Sequence, residues 1–154
     1  MPDNLHYGLA LARAYRDQGR LEDALAVWEH FEAIHPASFA VVATGADLFT
    51  ADGRPAAALD LLTGYLRRAP QAPPEAWRRQ AEAAEAAGQH VRSHEALGEY
   101  YTRTGRFDRA MEQFQLALDG AAPGSSDALR LEARLEQVRA RQRQRLADNP
   151  VSGR

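Results

Sequence analysis

A chain of 154 residues, 45% of them hydrophobic, can bury the core of about one domain, and its formal charge of -2 gives no electrostatic reason to favour nucleic acid. It has no cysteine, which excludes a disulfide framework and thiolate chemistry and suits the cytosol or the periplasm equally. All 19 basic residues are Arg, and the opening MPDNLHYGLALARAY has neither a basic n-region nor a long apolar run, so neither a signal peptide nor membrane insertion is expected.

The first two predicted helices, 5–18 and 21–34, flank Gly19 in DQGRLEDAL, and the next two, 38–51 and 55–68, flank Gly53 in ADGRPAAAL. From Gly19 to Gly53 is 34 residues, and Tyr15 to Phe49, Ala24 to Ala58, Trp28 to Leu62, Phe31 to Tyr65 and Pro36 to Pro70 keep that step. A fifth helix, 74–87, follows the Pro-rich connector APQAPPEAW, one residue longer, and carries Trp77, Ala81 and Ala84 before Gly88. Gly88 to Gly105 is only 17 residues, half a repeat. The sixth helix, 91–104, therefore acts as second helix of one pair and first helix of the next, which the seventh, 107–120, completes. The repeats run over about 5–38, 39–72, 74–104 and, overlapping, 91–122, within a single domain of 1–147.

The pattern implies close packing of antiparallel helices. Ala12, Ala24, Ala46, Ala58, Gly98 and Ala110 are small enough to let two helices approach, and Tyr15, Trp28, Phe49, Tyr101 and Phe114 fill the space beside them. The expected fold is all-α, a solenoid of eight antiparallel helices. Its eighth helix, 126–146, is longer: Ala128, Leu131, Leu135 and Val138 form an apolar stripe that caps the stack, and the half bearing Arg139, Arg141, Arg143 and Arg145 is expected to project into solvent or fray. Residues 148–154 are expected to form a flexible tail.

Catalytic chemistry finds no support. His94 and Glu95 open the stretch HEALG, but a zinc-protease helix needs His-Glu-x-x-His, and Gly98 stands where the second ligand would be. His90 and His94 are one turn apart without a third ligand, and His6, His30 and His35 are scattered. With no nucleophile motif and no phosphate-binding loop, no enzyme activity, metal or cofactor is expected.

The 34-residue step and its anchors resemble the tetratricopeptide repeat over about residues 5–122. More narrowly, HYGLALARAYRDQGRLEDAL, then HEALGEYYTRTGRFDRAMEQFQLAL with its half-repeat, then LRLEARLEQVR resemble the carboxy-terminal repeat region of bacterial zinc metalloproteases of the beta-barrel assembly-enhancing (BepA-like) type. That resemblance implies a periplasmic module that recognises outer-membrane assembly machinery or misassembled barrel proteins for a protease. The HExxH domain that precedes the repeats in that family is missing from this chain. Outside that relation, the expectation is a free-standing repeat scaffold or adaptor in another bacterial complex, in the cytoplasm.

Either way the ligand is a protein or peptide, and in the tetratricopeptide arrangement the first helices line a concave groove. The residues expected to face it are His6, Leu9, Arg13, Arg16 and Asp17 in the first repeat, Ala43, Asp47 and Thr50 in the second, and Arg78, Glu82 and Glu85 in the third. Helix 91–104 adds Glu95, Glu99, Thr102 and Arg103, although strict alternation would place it on the opposite side. Trp28 and Trp77 fall on packing positions and are read as core. Residues 125–154 carry seven arginines against Asp127, Glu132, Glu136 and Asp148, a net +3 that reads as a solvated helix end.

Overall fold

The computed structural model describes residues 4–149, which form eight α-helices and no strand: α1 (Leu5–Asp17), α2 (Leu21–Ile34), α3 (Phe39–Ala51), α4 (Pro55–Arg68), α5 (Pro74–Ala86), α6 (His90–Arg103), α7 (Phe107–Gly120) and α8 (Ser126–Asp148). The protein is all-α, and within each of its two compact units successive helices pack one on the next as in an α-solenoid. Packing gathers the chain into two compact units, Met1–Gly88 and Gln89–Arg154.

The first unit is built from repeated hairpins. At the end of α1, Gly19 takes φ +76°, and the Arg20 amide donates to the Tyr15 carbonyl at 2.9 Å; Gly53 (φ +70°), Arg54 and Phe49 repeat this at 2.8 Å. A left-handed residue followed by this wide bond satisfies carbonyls left open at a helix end, and only Gly reaches that φ without strain. The arginine then folds back over the ring, 4.4 Å from the Tyr15 centroid and 4.8 Å from that of Phe49. Turn and ring recur at the same 34-residue step, so the sequence period is a geometric one.

Inside this unit Leu9, Ala12, Ala24, Val27, Trp28, Phe31, Val41 and Leu48 form the core. Helices α1 and α2 approach at Gly8, where an added Cβ would lie 1.9 Å from the Phe31 ring. At Gly45 of α3 a Cβ would come within 2.4 Å of the Trp28 indole, whose Nε1 donates to the Val41 carbonyl at 2.8 Å. Trp28 and Trp77 are both buried, as packing positions require. Leu9 is also core, 2% exposed, which overturns its assignment to a ligand-facing position. It lies on the stripe with Ala12 that packs inward, not on the outer arc with Arg13.

In the second unit α6 and α7 form a hairpin around the Gly105 turn, and α8 lies against α7. Ala110, Phe114, Ala117, Leu131, Leu135 and Val138 make its core, with Gly98 beneath Phe114, where a Cβ would meet the ring at 2.7 Å. The distal half of α8 is exposed from Arg139 to Asp148 except at Gln142, as expected of a half that projects into solvent, but it does not fray. It remains helical to Asp148, Val138 is buried, Arg145 donates to the Gly105 carbonyl at 2.8 Å, and its guanidinium covers the Phe107 ring at 4.8 Å. Gln142 also bonds Asp108, so this half is held along the start of α7. Of the tail expected over 148–154, Asp148 belongs to α8 and residues 150–154 lie outside the described residues.

Candidate partner-binding groove

Helices α1, α3 and α5 lie side by side in the first unit, because each is the first helix of its repeat and packs through the same flank. Their shared face holds a groove of about 470 Å³ lined by Arg16, Ala46, Asp47, Thr50, Ala51, Leu62, Arg79, Glu82, Ala83 and Ala86. Buried Ala46, Ala83 and Leu62 form its floor. Charges form its rim. Asp47 sits between two arginines, accepting from Arg79 at 2.7 Å and lying 4.0 Å from Arg16. Neither arginine is spent on Asp47: Arg16 also bonds Asp17 at 2.8 Å, and Arg79 lies 3.7 Å from Glu75.

Four of the residues expected at the ligand face meet in this groove: Arg16, Asp47, Thr50 and Glu82. Others do not line it. Arg13 donates to Thr44 at 3.3 Å, tying α1 to α3. Arg78 turns along its own helix to Glu75 and Glu82, and its hydrogen bond is the main reason the Glu75 carboxyl stays below the usual carboxylate range. Asp17 holds Arg16, His6 and Glu85 are exposed outside the lining, and Ala43 is half-buried beside it. Arg79 was missed. Its neighbour Arg78 shares the sequence signal, and only helix phase places Arg79 toward α3.

Glu95 and Glu99 on α6 belong to a different arrangement. Arg130 of α8 grips Glu95 through two bonds of 3.0 and 2.9 Å, and Arg134 grips Glu99 through two bonds of 2.5 and 2.9 Å. Burial alone would raise the Glu99 pKa, but hydrogen bonds and charge from Arg134 and then Arg103 outweigh it and hold the carboxyl below its ordinary range. Arg103 is thus a second donor to Glu99. Thr102, expected at the ligand face, is buried and donates to the Gly98 carbonyl at 2.8 Å. Thr50 turns its hydroxyl back onto Ala46 in the same way but stays exposed, so burial is what takes Thr102 out of reach of a ligand. Within its unit α6 pairs with α7, and Arg130 and Arg134 tie it to α8.

The histidines offer no common site. His94 Nδ1 lies 2.9 Å from the Gln113 side-chain oxygen, and among the described residues no three His, Asp or Glu side chains are grouped to hold a metal. No described helix is long and apolar enough to cross a membrane. Neither a protein-family model nor a curated protein matches this chain.

Proposed function

We propose that this chain is a non-catalytic protein-interaction module of the tetratricopeptide type, and that the groove across α1, α3 and α5 receives a peptide segment of its partner. The observation that carries this reading is the Arg16–Asp47–Arg79 rim above a floor of Ala46, Ala83 and Leu62. A rim with both charge signs can bond side chains of either sign, and a shallow apolar floor admits an extended chain but encloses no reacting group.

Peptides selected from a random display library on the intact chain would test it. Their affinity should fall about tenfold or more in Arg16→Glu and Arg79→Glu. Unchanged affinity in both variants would move the site elsewhere.

A finer reading rests on the sequence resemblance alone: the partners are outer-membrane assembly proteins or misassembled barrels, in the service of a periplasmic zinc metalloprotease. Crosslinking in a periplasmic extract should then capture unfolded barrel proteins with the wild-type chain and lose them with the two variants. Equal capture by all three, or none, would sink this identification and leave a scaffold in another complex.

A further inference from the structure

Two sides of α8 are occupied within its own unit. Ala128, Leu131, Leu135 and Val138 face the core, and Arg130 and Arg134 pair with α6. The remaining flank bears Leu129, Glu132, Glu136, Arg139, Arg143 and Leu146, all exposed, the two leucines at 61% and 56%. The two leucines stand at opposite ends of an otherwise charged flank, and it is the order of the charges between them that singles the flank out.

The spacing of the six residues alternates three and four, which sets them along one face of the helix over about 25 Å, apolar only at its two ends. Their order is Leu, Glu, Glu, Arg, Arg, Leu. Read backwards, it is the same with the charges exchanged. We propose that two copies of this chain associate through this flank as an antiparallel, two-fold helix pair.

In that arrangement each early position meets a late one. Leu129 packs on the partner's Leu146, Glu132 faces the partner's Arg143, and Glu136 faces the partner's Arg139; the two-fold axis repeats every contact. A parallel pair would set Glu on Glu and Arg on Arg, so the charges select the antiparallel register. Within one chain Arg139 and Arg143 lean on Glu136 at 3.8 and 3.0 Å, and Glu132 has no ion pair among the described residues. Association exchanges local pairs for intermolecular ones and adds contacts for Glu132. Such exposed ion pairs direct more than they stabilise, so the two leucine contacts supply most of the affinity. The dimer is weak, weakens further with salt, and carries two copies of the α1–α3–α5 groove.

Sedimentation equilibrium of the intact chain from micromolar to millimolar concentration is the test, with two double variants. Glu132→Arg with Glu136→Arg makes the flank wholly basic, and Arg139→Glu with Arg143→Glu makes it wholly acidic. Each alone should dimerise at least about tenfold more weakly, and an equal mixture should recover association as a heterodimer. Recovery on mixing also shows that both variants are folded. The register is read separately: Leu129→Cys combined with Leu146→Cys should oxidise to a covalent dimer, while either change alone should not, because like positions lie about 25 Å apart. A wild-type chain that stays monomeric at millimolar concentration would overturn the proposal. So would a dimer indifferent to both charge sets, or single-cysteine forms that crosslink as fast as the double.

Discussion

Asp47 and Glu99 occupy the same place in their helices, six residues before the turn glycines Gly53 and Gly105, yet their surroundings differ. In the first unit Asp47 is 40% exposed and receives one bond from Arg79, which approaches diagonally, with Arg16 at 4.0 Å. In the second unit Glu99 is 19% exposed, and Arg134 stands level with it on the neighbouring parallel helix, so both carboxylate oxygens enter one guanidinium fork. Both pairs line a groove, about 470 Å³ at Asp47 and about 270 Å³ at Glu99. They differ in how the arginine is used: Arg134 gives both carboxylate oxygens of a mostly buried Glu99 a partner, whereas the more exposed Asp47 takes one bond from Arg79. The Arg134–Glu99 pair holds the fold more firmly than the Arg79–Asp47 pair.

The core of each unit gives the largest expected losses. Phe114→Ala should cost about 3–5 kcal/mol, because it empties a fully buried site over Gly98; a urea midpoint unchanged from wild type would refute the packing described for the second unit. Gly8→Ala should cost about 1–3 kcal/mol, since its Cβ would land on the Phe31 ring. The same overpacking is expected for Ala58→Trp, with 0% exposure at Ala58; an unshifted melting temperature in either would break the repeat register.

The polar contrast is sharper still when tested directly. Glu99→Gln should destabilise by about 1–2 kcal/mol, because it leaves Arg134 without its charge partner, whereas Asp47→Asn, at a more exposed pair, should stay within about 0.5 kcal/mol. Equal losses would erase the distinction between the two regions. The Glu99 contribution also has a pH signature. A carboxyl held below its unfolded value stabilises fully above that value, about pH 4.3, and the gain disappears as pH falls through the lower folded pKa. The difference in melting temperature between wild type and Glu99→Gln should therefore be constant near neutrality and shrink below about pH 4. Smallest of all on stability, Arg79→Ala should change the melting temperature hardly at all while weakening peptide capture, a separation that a purely structural ion pair would not produce.

Much of the architecture is legible in the residues. The helix bounds read from glycine spacing and apolar phase match those observed to within two residues at every end, because Gly19, Gly53 and Gly105 mark turns that no other residue enters without strain. The groove was half legible. Arg16, Asp47, Thr50 and Glu82 were chosen on phase alone, and they meet; Leu9 and Thr102 share nearly the same phase and are buried, since a helix gripped on two sides hides positions that a wheel places at its margin. The hold on the end of α8 was invisible, because Arg145 bonds a carbonyl 40 residues away that carries no side-chain signal.

The sequence by itself determined the all-α class, the eight helices, their turns and the buried positions Ala12, Ala58 and Phe114, because these depend on local backbone preference and on a period repeated along the chain. Only the tertiary structure decided which charges meet. It set Arg79 rather than Arg78 toward Asp47, put Arg130 and Arg134 level with Glu95 and Glu99, and turned Arg145 onto the α6–α7 turn. Those pairings depend on the relative rotation of helices distant in sequence, which the packing of the buried faces sets and which no single helix encodes.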